Sequence, residues 1–264
     1  MRTLAVLAVI AALPALAQRN QGSLSCNGNN NNGRQFRHCE MREQPGSFPG
    51  RLTVDAGMNG GVTVKGWDQS GVLVRSKVEA SADDEATAQS IVSQVHVDFS
   101  AGQVSASGPT MANHQNWSVS FEIFVPRNGD LTLKAHNGGV SIADVRGNIQ
   151  FETQNGGVTL KRLGGDVQGK TQNGSVSVEL AGNRWDGNKL DVRTVNGGVN
   201  ITMPENYSAH LESSTVNGHL NVPSMTVQGE IKRDQKISAD LGSGGPTIHV
   251  ETTNGGVNIK RAAL

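Results

Sequence analysis

The sequence predicts an all-β chain: a single-stranded parallel β-solenoid (β-helix) with an N-terminal cap that contains one short helix. Three observations carry this expectation. Of 264 residues, 33 are Gly and 23 are Asn, 56 in all or about one residue in five. A mainly helical chain does not fit, because each Gly inside a helix costs roughly 1 kcal/mol relative to Ala. Asn-Gly recurs at Asn59, Asn137, Asn155, Asn173, Asn196, Asn217 and Asn254, the last six separated by 18, 18, 23, 21 and 37 residues. A period of about 20 residues is that of stacked repeats. Around the last six of these dipeptides the same residue types return in fixed columns.

The chain opens with Arg2, an apolar stretch from Thr3 to Ala17 and a small-x-small site at Ala15-Leu16-Ala17. Residues 1–17 therefore read as a signal peptide, and the product as exported: periplasmic, cell-surface or extracellular. The apolar run is too short to span a bilayer, so no membrane insertion is expected after cleavage. Removing Arg2 leaves 22 of the 23 basic residues against 23 acidic ones, a net charge of −1. That balance excludes the basic footprint of a nucleic-acid or anionic-membrane partner. Cys26 and Cys39 are expected to form a disulfide in an oxidising compartment. Zinc would need four ligands and only His38 lies nearby, and the spacing is not that of a redox CxxC pair. Residues 18–50 thus read as an Asn-rich, disulfide-closed segment.

Residues 51–130 read as a first coil and capping region. Leu52 to Val64 resembles one repeat unit, with its leading strand one residue out of register. After Val72-Leu73-Val74, Ser81 is placed to cap a helix, with Asp84 three residues on and no Gly or Pro from Ala82 to Val92. Asp83-Asp84-Glu85 would form its acidic first turn. Strands are expected near Val95–Phe99 and Val119–Val125, the second ended by Pro126.

Residues 131–264 carry the repeats. Six positions before each Asn stand Leu131, Ile149, Val167, Leu190, Leu211 and Ile248. Three after it stand Val140, Val158, Val176, Val199, Leu220 and Val257, and five after it Ile142, Leu160, Val178, Ile201, Val222 and Ile259. This period of two predicts strands with one buried face. Each coil reads as strand, Asn-Gly corner, short strand and second corner. At the corner, Gly accepts positive φ and Asn tolerates it. Asn137, Asn155, Asn173, Asn196, Asn217 and Asn254 would also stack their amides in a ladder, a structural reading that outweighs one of metal or sugar ligands. Outward positions such as Lys134, Glu152 and Lys170 alternate in charge like a solvated face. The 23-residue coil carries Arg184, Trp185 and Asp186, either a candidate binding loop or a Trp folded back over the second corner.

No nucleophile elbow, zinc helix, phosphate loop, dinucleotide fingerprint or calcium repeat is present. Neither a metal nor a cofactor is expected. Asp191 and Glu212 fall in one outward column on coils taken as neighbours, the arrangement a carboxylate-dependent glycosidase would need. Gln150, Gln168 and His249 share that column, so it reads as surface variety and not as a catalytic pair.

The signal peptide, the run Gly66-Trp67-Asp68-Gln69-Ser70-Gly71-Val72-Leu73-Val74, the strand ending in Val125-Pro126 and the serial T-x-N-G-[GS]-V-x-[ILV] units belong together. Over roughly residues 50–264 the chain resembles the bacterial "putative adhesin" family, exported β-strand-repeat domains of unknown function. The resemblance implies an all-β solenoid at or beyond the cell envelope and brings no site residues with it. The expected function is non-enzymatic: adhesion to, or scaffolding of, a cell-surface or extracellular polymer, with self-association open to the chain. The alternatives are a polysaccharide-active enzyme on the same scaffold and a periplasmic structural or regulatory partner.

Overall fold

The structure, a computed structural model, describes residues 24–26, 35–222, 228–232 and 235–262. The signal peptide and the block from Asn27 to Gly33 lie outside the described residues. Strand β1 (Phe36–Ser47) is followed by β2 (Arg51–Asp55), β3 (Val62–Trp67) and β4 (Gly71–Ala82). Helix α1 (Glu85–Gln94) comes next, then β5 (His96–Ser100), β6 (Gln103–Ser107) and β7 (Asn116–Pro126). Four strand pairs follow: β8 (Asp130–Ala135) with β9 (Val140–Ala143), and β10 (Arg146–Asn155) with β11 (Val158–Lys161). After them come β12 (Gly164–Asn173) with β13 (Val176–Glu179), and β14 (Lys189–Asn196) with β15 (Val199–Met203). The chain ends in β16 (Ala209–Asn217), β17 (Leu220–Asn221), β18 (Gln228–Lys232), β19 (Lys236–Leu241), β20 (Thr247–Asn254) and β21 (Val257–Arg261).

Among the described residues these strands form one sheet of ten and one of eleven, mostly parallel. Each repeat contributes one strand to either sheet, and we call that pair a rung. The apolar faces of both sheets meet in a single core. Leu131, Ile149, Val167, Leu190, Leu211 and Ile248 are each 1% exposed or less, and burying such a side chain contributes about 1.5–3 kcal/mol.

The rungs do not stack in sequence order. Along the two sheets they run β6/β7, β2/β3, β8/β9, β10/β11, β12/β13, β14/β15, β20/β21 and β16/β17. The 37-residue spacing, about twice the repeat period, contains a detour. Strand β19 pairs antiparallel with β16 and β18 with β19, after which the chain returns to lay β20 between β14 and β16.

Corner chemistry explains the Asn-Gly signature. The asparagine amides form one hydrogen-bonded ladder with a single direction. Asn217 donates to Asn254 at 2.7 Å, Asn254 to Asn196 at 2.7 Å and Asn196 to Asn173 at 2.8 Å. It continues from Asn173 to Asn155, from Asn155 to Asn137, from Asn137 to Asn59 and from Asn59 to Asn116. Beside it runs a buried ladder in which Thr153, Thr171, Thr194, Thr252 and Thr215 donate to the carbonyls of Gly138, Gly156, Gly174, Gly197 and Gly255, at 2.7–2.8 Å.

The reason for the glycine differs from the expected one. Among the described residues the non-Gly positions with positive φ are Ala101, His114, Asp144 and Arg162, so the ladder asparagines are not left-handed. Gly156 instead lies so close under the preceding rung that a Cβ would overlap the carbonyl of Gly138, and the same holds for Gly174 against Gly156.

The N-terminal part of the structure departs from expectation in two places and meets it in a third. Helix α1 starts later than Ser81 suggests, because Ser81 and Ala82 still pair with Arg37 and Phe36 of β1. Its cap is Asp84, whose carboxylate accepts from the Thr87 amide at 2.8 Å and hydroxyl at 2.7 Å. The out-of-register first unit is real: Leu52 pairs with Leu131 and Asn59 with Asn137, one residue more on the first side. Gly57, at φ +66°, absorbs it while Asp55 caps its amide at 2.9 Å. Strand β1, unpredicted, pairs antiparallel along the whole of β4.

In the buried column four before the Asn, Gly169 is an exception whose missing side chain leaves room for the Phe151 ring of the next rung. Gly169→Val is therefore expected to destabilise the fold by about 1–3 kcal/mol, the usual cost of overpacking. Adding Phe151→Val should recover most of that loss, read as urea unfolding midpoints.

Candidate functional site

On the outer face of the eleven-stranded sheet, parallel in-register pairing turns sequence columns into rows. Thr132, Gln150, Gln168 and Asp191 form one row across β8, β10, β12 and β14; Lys134, Glu152, Lys170 and Arg193 form the next. Neighbouring members of a row sit one strand spacing apart, about 4.8 Å. Both rows line an open groove of about 640 Å³, the Phe151 and Gly169 strand segments completing it.

The charged members are partly engaged. Lys170 meets Glu152 at 3.1 Å, and Arg193 meets Asp191 at 3.2 Å and Glu251 at 3.4 Å. Asp191 also receives His249 Nδ1 at 3.0 Å. Burial opposes ionisation of Asp191, but the hydrogen bonds from His249 and Arg193 outweigh it and hold its carboxyl below the usual range. Thr132, Lys134, Gln150 and Gln168 make no side-chain hydrogen bond or ion pair among the described residues, so their polar ends face the groove unpaired.

The groove also decides the fate of the carboxylate pair. Asp191 and Glu212 are both register partners of His249, because β20 lies between their strands. They stand two strand spacings apart, roughly 9–10 Å along the backbone, and not on adjacent rungs as the sequence order implied. A glycosidase acid needs a raised pKa, whereas Asp191 is lowered. Glu212 pairs with His210 Nε2 at 3.4 Å, and His210 Nδ1 meets Asp240 at 2.7 Å. The hydrogen bond with Asp240 raises His210 above a histidine's ordinary value of 6.5, Glu212 adds to this, and burial opposes it.

In the candidate loop Trp185 is folded back into the corner, while Arg184 and Asp186 are exposed. Trp185 is 3% exposed, and its indole donates to the Gly165 carbonyl at 3.0 Å among Leu160, Leu180 and Leu190. Arg184 forms a parallel bridge with Ser208, and Asp186 pairs with Arg146. The indole packs over the second corner. Cys26 and Cys39 are bridged, with Cα atoms 5.7 Å apart, which ties residues 24–26 to the edge strand β1.

A second charged array, unread in the sequence, lies on the outer face of the ten-stranded sheet. Glu122, 1% exposed, accepts from Lys65 at 2.8 Å and Arg75 at 2.6 Å, and Arg75 also meets Glu43. Beside it Trp67 and Phe124 sit with ring centroids 5.5 Å apart. These four strands join only through long-range pairing, so no local pattern announced the cluster. Among the described residues no group of three or more His, Cys, Asp or Glu is arranged to hold a metal ion. No described helix is long and apolar enough to cross a membrane.

The sequence profile of the family described as Toastrack DUF4097 matches residues 52–260. Among solved structures, a "putative cell adhesion protein" from Clostridium sporogenes is similar at 12% identity, with a TM-score of 0.44 over 85% of this chain and 100% of that one. A "putative adhesin" from Bacteroides fragilis is similar at 12% identity, with a TM-score of 0.27 over 85% and 97%. A "Putative lipid binding protein" from Parabacteroides distasonis is similar at 8% identity, with a TM-score of 0.23 over 87% and 98%. No curated protein matches the chain.

Two outcomes follow. Trp185→Ala should cost about 3–5 kcal/mol of unfolding free energy, the range for a buried aromatic, which a surface binding residue would not; denaturant unfolding reads it. Because the folded pKa of His210 is raised, its stabilisation is complete below about pH 6.5 and lost as pH climbs through the folded value. His210→Ala should therefore lower the unfolding midpoint at about pH 5 and leave it nearly unchanged at about pH 9.

Proposed function

We propose, from the premise that this chain belongs to the Toastrack DUF4097 family, that it is an exported, non-enzymatic β-solenoid that adheres to a cell-surface or extracellular polymer. The groove on the eleven-stranded sheet is its binding face. One observation carries this reading: Thr132, Gln150, Gln168 and Lys134 offer unpaired polar ends in two rows that repeat at the strand spacing. A row of amides and hydroxyls at a fixed interval suits a ligand that is itself periodic and rich in hydroxyl groups, as a polysaccharide is. Charges of both signs in the second row suit a neutral chain better than a strongly anionic one.

In this reading residues 1–17 direct export, and Cys26–Cys39 fastens the Asn-rich segment to β1. Residues 51–130 cap the stack, and residues 131–264 present the groove. Chemistry on the polymer is not part of the proposal, since Asp191 is held ionised by His249 and Arg193 and Glu212 stands two strands away.

The test uses the mature protein on arrays of cell-wall, capsular and matrix polysaccharides. Binding is expected, and the triple variant Lys134→Ala, Gln150→Ala, Gln168→Ala should abolish it. The variant's unfolding free energy should stay within about 0.5 kcal/mol of wild type, as for exposed positions. Binding that survives all three substitutions, or no binding to any polymer, would overturn the proposal.

A further inference from the structure

The order of the last two rungs carries an inference that does not depend on the adhesive reading. Strands β20 and β21 enter a slot between two rungs that precede them in the chain, and both are parallel to their neighbours on either side. Three features make this slot able to exchange its contents.

The first is chemical. Ile248, Val250, Thr252, Asn254, Val257 and Ile259 pair with Leu190, Val192, Thr194, Asn196, Val199 and Ile201, the same types in the same order. Asn254 continues the amide ladder in both directions, donating to Asn196 and accepting from Asn217. Nothing in these contacts distinguishes the chain's own segment from that of another copy.

The second is the mouth of the slot. Ser208 N–H donates to the Asn183 carbonyl at 2.8 Å, so the segments leading into β16 and β14 touch directly. They part only where Thr247 enters, pairing with Lys189 on one side and His210 on the other. The third is the tether. Between β19 and β20, Gly242, Gly244 and Gly245 have φ of +57°, +72° and +142°, a short glycine-rich connection in a backbone conformation that other residues rarely adopt.

We infer that residues 247–261 are an exchangeable rung, and that the partner of the vacated slot is a second copy of this chain. Each copy lays its segment between β14/β15 and β16/β17 of the other, giving a reciprocally swapped dimer. Swapping an identical element keeps every contact and changes only its connection, which makes it a low-cost route to a dimer.

The test mixes two mature single-site variants, Asp191→Cys and His249→Cys, whose positions are register partners. The mixture is carried through partial denaturation and refolding, then oxidised with glutathione disulfide. A covalent heterodimer of twice the chain mass is expected. Asp191→Cys mixed with Gln168→Cys is the control, because Gln168 is also a register partner of Asp191 but lies on β12, a rung that does not exchange. The pair Arg193→Cys and Glu251→Cys repeats the test should the first variants refold poorly. Refolded protein with native circular dichroism that yields no heterodimer, or as much with the control as with the test pair, would overturn the inference.

Discussion

Parallel strands in register lie about 4.8 Å apart, and at that distance every residue of a rung sits against its counterpart in the next. Whatever occupies one position must tolerate a near-copy of itself directly above and below. Aliphatic columns meet this condition by packing into continuous ridges. Asn meets it by hydrogen-bonding its own kind, with one amide hydrogen and one carbonyl lone pair spent on the ladder. Gly meets it where the backbone itself is the neighbour, as at Gly156 under Gly138. The composition of the chain is the record of that single spacing.

The same constraint separates two kinds of polar group. Thr171 is 1% exposed, yet its hydroxyl has a fixed acceptor in the Gly156 carbonyl, so burial leaves nothing unpaired. The second corner solves the problem with charge. Arg162 lies between Asp144 and Glu179 of the flanking rungs and is hydrogen-bonded to both. On the outer face of the eleven-stranded sheet the pairing is incomplete, and there the unpaired amides of Gln150 and Gln168 face an open groove. The outward rows are thus where the stack leaves its repeated polar groups without a protein partner among the described residues. The carboxylates on this face are engaged as well, Asp191 by His249 and Arg193, and Glu212 by His210.

Sequence columns were a faithful guide wherever a residue's neighbours are its own repeats. The inward faces and the Asn ladder from Asn137 to Asn254 are legible because each is set by local alternation and period. The groove was half legible: its rows are the outward columns already visible around each Asn, but their unpaired state depends on side-chain partners that no column reveals. Trp185 looked ambiguous for a related reason, since only the packed corner shows whether an indole folds inward.

By itself, then, the sequence determined the strand, the corner and the buried face, because these follow from alternation and from what can stack on its own image. It was silent on β1, whose pairing with β4 spans distant segments, and on the Glu122 cluster, assembled from β1, β3, β4 and β7. Rung order too was decided only in three dimensions. The columns of β14, β16 and β20 are alike except at Ser213 of β16, so local pattern does not say which lies between the other two; long-range pairing places β20 there, where the Val250 carbonyl accepts from the Ser213 hydroxyl. That choice separates Asp191 from Glu212 and places His249 between them.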